Sequence, residues 1–179
     1  MSGDWRADVL RFWFGLDPEQ WFRGGDALDH LVRENFLKLW EAKRQLPAHS
    51  FLDDPLSALA GTILFDQFPR NMFRDHADQF STDHLALQIA QGALDREFDQ
   101  KLAPEERSFL YLPFEHSENL ADQDRSVLLF TALGNEEQLD YAKRHHDVIA
   151  KFGRFPHRNK MLGRPPRPAE LAAGDVVPW

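Results

Sequence analysis

Apolar residues recur at three- and four-residue intervals along nearly the whole chain, and the alternation of a half-buried strand is missing. Only helices suit that spacing. The pattern predicts a first helix over 4–14, with Val9, Leu10, Trp13 and Phe14 inward and Gly15 ending it in a left-handed cap. Trp21 and Phe22 then anchor a loop. A second helix, over 27–46, follows Asp26 as N-cap and aligns Leu28, Leu31, Val32, Phe36, Leu39 and Trp40. A third opens at Pro55, carries Leu56, Leu59, Ala60, Ile63 and Leu64, and ends at Phe68-Pro69 before a compact loop through Arg74.

Ser81 is read as the cap of a fourth helix, and Pro104 as the first turn of a fifth. Pro113 should kink or end that fifth helix, because a mid-helix proline frees a carbonyl four residues back. Residues 113–117 then form the turn of a hairpin, with Ser117 capping a sixth helix. Asn135, with Gln138 three residues on, starts a seventh, and Gly153 ends it. The expected fold is all-α: about seven main helices stacked as antiparallel hairpins around one core. We expect a single domain over 1–179, with residues 164–179 as an extended C-terminal tail broken by a short helical turn.

Composition narrows the class. Hydrophobic residues make up 42% of the chain, with fifteen Phe and five Trp, so core material is ample. Cysteine is absent, which removes disulfides, thiolate nucleophiles and zinc–cysteine sites together. The stretch from Met1 to Asp8 puts acids where a signal peptide has basic and apolar regions, and no apolar run reaches membrane-spanning length. A cytoplasmic protein without membrane contact is expected. The net charge of −8 is uneven: residues 143–167 hold eight Lys or Arg against Asp147 alone, or +7, leaving −15 elsewhere. That basic segment either folds back onto acidic helices or receives an anion. The acidic balance and the lack of any binding motif argue against nucleic acid.

The candidate chemistry gathers beside the proline break. Glu115 and His116 could serve as acid and base. On a helix starting at Ser117, Glu118, Asp122 and Arg125 would share one face, and an Arg125 ion pair that merely clamps helices is the competing reading. Asp66 falls in a last helical turn, where a carboxylate needs a cation such as Arg70 or Arg74. Arg154, His157 and Arg158, after the Gly153 cap, are the best receivers of an anion, unless Glu115, Glu118 or Asp66 pairs with them. A metal site built from Glu115, His116, Asp122 and His145 or His146 lacks the ligand spacing, and His146 is read as a core histidine beside Leu139, Ala142 and Ile149. No nucleophile elbow, phosphate loop or dinucleotide fingerprint occurs, so neither a metal nor a cofactor is expected.

Five segments, taken in order, resemble one bacterial family, the domain of unknown function nine-two-four. They are Phe12-Trp13-Phe14-Gly15, Asp66-Gln67-Phe68-Pro69-Arg70-Asn71, Leu112-Pro113-Phe114-Glu115-His116-Ser117-Glu118, Asp122-Gln123-Asp124-Arg125-Ser126 and Gly153-Arg154-Phe155-Pro156-His157-Arg158-Asn159. The resemblance implies an all-helical, tetratricopeptide-like fold and brings no activity or catalytic residues. On the residues themselves, the expectation is a helical binding protein whose pocket takes a small anionic ligand or peptide at Asp66, Arg70, Glu115, His116, Arg125, Arg154, His157 and Arg158. The alternatives are an acid–base or metal-dependent hydrolase using Glu115 and His116, and a structural polar network without pocket chemistry.

Overall fold

The Asp4 carboxylate accepts the amide of Arg6 at 3.1 Å and so starts α1 (Trp5–Phe14), which buries Val9 and Trp13. The computed structural model describes residues 3–179; Met1 and Ser2, the beginning of the acidic stretch, lie outside them. Among the described residues there are eleven α-helices and no strand, against the seven helices expected. The chain divides into two compact units, 1–110 and 111–179.

The first unit contains α1, α2 (Pro18–Arg23), α3 (Asp26–Lys43), α4 (Pro55–Thr62), α5 (Phe68–Met72), α6 (Asp83–Asp95) and the start of α7 (Pro104–Glu115). Its axis is the run from α4 into α5, buried without interruption over 57–69 and packed on by α1, α3 and α6. A helix covered on every side needs no polar stripe, which is why Leu59, Ile63, Leu64, Phe65 and Phe68 succeed one another there. Fully burying each such side chain favours folding by about 1.5–3 kcal/mol.

Phe68-Pro69 does not end this helix as expected. A π turn over Ile63–Gln67 leads straight into α5. The carbonyls that Pro69 and the wider turn leave open find side-chain donors: Thr82 Oγ1 donates to Phe65 O at 2.7 Å, and Arg70 Nη1 donates to Asp66 O. Thr82 Oγ1 in turn accepts from Trp40 Nε1 at 3.1 Å. The loop expected through Arg74 is therefore helical as far as Met72.

Other boundaries differ for local reasons. Gly15 has φ −84°, not a left-handed value; a β-carbon there would stand 2.7 Å from Arg11 O, so close approach explains the glycine. Asp26 is the first helical residue of α3 and Gly25 its cap. Leu31 and Leu56, assigned to buried stripes, are exposed by 46% and 51%. Thr82, not Ser81, caps α6. Trp21 and Phe22 lie on α2 rather than in a loop.

The second unit contains the end of α7, α8 (Leu120–Leu133), α9 (Glu136–Phe152), α10 (Asn159–Leu162) and α11 (Pro168–Ala173). Helix α7 continues through Pro113 to Glu115, so the expected break comes after the proline. Gln123 Nε2, from α8, donates to Glu115 O at 2.6 Å and Ser117 O at 2.7 Å and closes that end. Asn119, not Ser117, caps α8 by accepting from Ala121 N at 2.9 Å. Gly134 and Asn135 join α8 and α9 into a tight hairpin. Gly153, at φ 71°, ends α9 in the left-handed conformation expected of it. No helix among the described residues is long and apolar enough to cross a membrane.

Candidate functional site

Asp66 and Arg70 belong to the first unit. Asp66 is fully buried, accepts from Gln67 Nε2 at 2.7 Å and lies 3.6 Å from Arg70 Nη1. Arg70 also grips Asp83 with two contacts of 2.8 and 3.0 Å. Of the two cations considered for Asp66, Arg70 is the one that answers, while Arg74 holds Asp29 at 2.7 Å.

The second unit gathers the rest. The helical spacing of α9 points His145 inward with Ala142, Ile149 and Phe152, so His145 and not His146 is the core histidine. His146 faces Asp124 at 2.8 Å on the outside. His145 Nδ1 lies 2.7 Å from Tyr141 O and 3.2 Å from Glu115 Oε1. A carbonyl only accepts, so Nδ1 carries the proton and Nε2 keeps its lone pair. Burial holds the His145 pKa down at about 3; the Tyr141 carbonyl pulls upward, and His116, Arg158 and His157 add repulsion. At neutral pH this imidazole is uncharged.

Around it stand three basic side chains. The His116 ring is 6.4 Å from that of His145 and half-buried. Arg158, buried, lays its guanidinium on Phe155 at 4.6 Å, donates through Nη2 to His116 O at 2.9 Å and approaches Glu118 at 3.8 Å. His157, half-buried, meets Phe155 at 5.5 Å and Trp179 at 4.8 Å. The turn 156–158 places them, because Pro156 and the Gly153 cap fold the chain back immediately after α9.

Arg154 and Arg125 are committed differently. Arg154 Nε and Nη2 each meet a Glu170 oxygen at 2.7 Å, and Nη2 also donates to Pro165 O at 2.9 Å. The arginine holds the Glu170 pKa down at about 2, helped by the Arg167 amide and Asn159. Arg125 covers the Phe114 ring at 5.2 Å. The face proposed for Glu118, Asp122 and Arg125 does not form, because α8 starts after Glu118: Glu118 binds Arg164 at 2.8 Å, and Asp122 accepts from Ser117 Oγ at 2.6 Å.

Sequence reasoning missed three participants: His145 as the imidazole facing Glu115, Glu170 as the partner of Arg154, and Arg164 as the partner of Glu118. Only His145 carried a signal, its place in the 142, 145, 149, 152 spacing. Among the described residues no group of three or more His, Asp or Glu side chains is placed to hold a metal ion.

This is an all-helical protein whose second unit centres on a buried carboxylate–imidazole pair ringed by basic side chains. Over residues 9–173 the chain matches the family described as bacterial protein of unknown function (DUF924), and it belongs to that family. It is also similar to the solved structure of a protein of unknown function from Agrobacterium tumefaciens, at 37% identity and a TM-score of 0.89 over 97% of this chain and 98% of that one. No curated protein matches it.

Proposed function

We propose that the second unit is a binding module for a small anion or a peptide carboxylate, received by His116, His157 and Arg158. The observation that carries this reading is their convergence on the neutral His145: Arg158 reaches His116 O at 2.9 Å, and both imidazoles are half-open to solvent. Arg158 is held flat on Phe155, so an arriving anion meets a guanidinium already in place. In this reading Arg154 and Glu170 secure α11 rather than touch the ligand, and Arg125 supports Phe114. The α8–α9 hairpin serves as a tetratricopeptide-like scaffold for the basic turn that follows it. In the first unit, Asp66 and Arg70 act as a structural pair.

Isothermal titration with inorganic phosphate and with acetate tests the reading. Saturable binding by the unaltered chain, weakened about tenfold or more in Arg158→Gln, supports it, since a charge-assisted hydrogen bond contributes about 1.5–3 kcal/mol. His157→Gln provides the same comparison without touching a buried group.

The 3.2 Å approach of Glu115 to His145 favours a second reading, acid–base hydrolysis. There Glu115 would orient His145, whose Nε2 would be the base, in place of the Glu115–His116 couple. An imidazole whose pKa is about 3 is a weak base, which ranks this reading below binding. Ester or amide hydrolysis lost in Glu115→Gln with the fold retained would reverse the order.

A further inference from the structure

Helix α2 buries none of its six residues, although it lies against the most aromatic part of the first unit. Its main hold is Trp21, half-buried, whose Nε1 donates to Trp13 O at 2.8 Å and whose ring meets Phe109 at 5.1 Å and Phe14 at 6.1 Å. An element with so few buried contacts opens at lower cost than the helices beside it. It ends in Gly24 and Gly25, at φ 60° and 138°, and a β-carbon on Gly24 would stand 2.5 Å from Arg74 Nη2. Two glycines that can absorb large dihedral changes, at the end of a thinly held helix, make a hinge.

Beneath Trp21 lie Trp13 and Phe109, exposed by 0% and 1%. Trp13 Nε1 is fully buried and has no acceptor among the described residues. Phe68 and Phe109 cross the Trp13 ring at 63° and 82° and Trp21 lies nearly parallel to it at 25°, and such aromatic neighbours are at most weak substitutes for an oxygen or nitrogen lone pair. A buried indole N–H ordinarily finds a partner. This one waits under the least secured helix of its neighbourhood.

We propose that α2 is a lid over an aromatic binding site, and that the site takes a planar aromatic ligand bearing one hydrogen-bond acceptor. The ligand takes the place Trp21 vacates, crossing Phe109 edge-to-face and lying nearly parallel to Trp13 as the Trp21 ring does, at 83° and 25°, and accepts from Trp13 Nε1–H. Phe22, 66% exposed and nearly parallel to Phe109 at 6.2 Å, travels with the lid and gives it an apolar edge.

Quinoline and naphthalene share the same fused-ring shape, and only quinoline carries an acceptor. With the full chain labelled with nitrogen-15, quinoline should shift the Trp13 indole signal saturably, that signal being assigned by its loss in Trp13→Phe. Naphthalene should bind at least about fivefold more weakly, because it leaves the donor unmet. Trp21→Phe keeps a ring but removes the bond to Trp13 O, so the open fraction should rise and quinoline bind about fivefold more tightly. Amide exchange in the unaltered chain is the independent check: residues 18–23 should exchange well before α1 and α3, and slow when quinoline is added. No saturable shift at Trp13, equal affinity for the two compounds, or α2 exchange indifferent to quinoline would each overturn the proposal.

Discussion

Arg154 and Glu170 meet through two parallel contacts of 2.7 Å, and this pair ties the C-terminal helix to the cap of α9. Asn159 and the Arg167 amide complete the ring of donors around the same carboxylate, at 3.3 and 2.6 Å. The tail expected to be extended is thereby fastened at its middle.

If that pair holds α11, then Arg154→Ala or Glu170→Gln should release residues 164–179. Limited proteolysis should cut the variants in this segment at protease levels that leave the unaltered chain whole, and the melting temperature should fall. The Glu170 pKa of about 2 lies below its ordinary 4.5, so the pair's contribution is complete above about pH 4.5 and is lost as pH falls toward 2. Glu170→Gln should lack this pH-dependent component.

His145 has the opposite charge type and the same direction of pH dependence. Its pKa of about 3 in the folded chain, against an ordinary 6.5, means that the unfolded chain takes up the additional proton between those values. Stability is therefore complete above about pH 6.5 and falls below it, by about 1.4 kcal/mol per pH unit. Urea unfolding should lose about 2 kcal/mol between pH 6.5 and about pH 5 from this group. His145→Gln, which retains a donor, should flatten that slope while Glu115, His116, His157 and Arg158 remain around it.

Thr82 holds the π turn by taking the Trp40 N–H and filling the Phe65 carbonyl. Thr82→Val keeps the shape and leaves both groups buried without partners, at about 1–3 kcal/mol each, so chemical denaturation should register a loss of about 2–6 kcal/mol. Adding Pro69→Ala returns a backbone N–H to the turn and should recover part of it. If the double variant is no more stable than Thr82→Val, the link between the proline and the threonine hydroxyl is wrong.

Helices with local signals were legible from the sequence. Asn135 does accept from Gln138 N at 3.1 Å, and Gly153 does cap α9, because caps depend on residues within a turn of one another. Pro69 and Pro113 misled because the donors that compensate a proline can be distant: Thr82 lies thirteen residues beyond Pro69. Two segments with Phe-Pro followed by Arg and Asn, Phe68-Pro69-Arg70-Asn71 and Phe155-Pro156-His157-Arg158-Asn159, use their asparagines alike. Asn71 donates to Asp29, itself gripped by Arg74, and Asn159 donates to Glu170, itself gripped by Arg154. In the second unit, the meeting of the His116 turn with the arginine turn could be guessed from charge, but their contact atoms could not. Backbone carbonyls such as His116 O leave no trace in side-chain patterns. The choice of His145 over its neighbour turned on a single residue of helical phase.

The central claim concerns His116, His157 and Arg158, and histidine ring resonances report on it most directly. When inorganic phosphate is titrated into the full chain, the ring signals of His116 and His157 should shift and saturate together, while the outward His146 beside Asp124 stays nearly still. Arg158→Gln should abolish the shared saturation. Shifts that grow without saturating, or that are as large at His146 as at His157, would contradict the account.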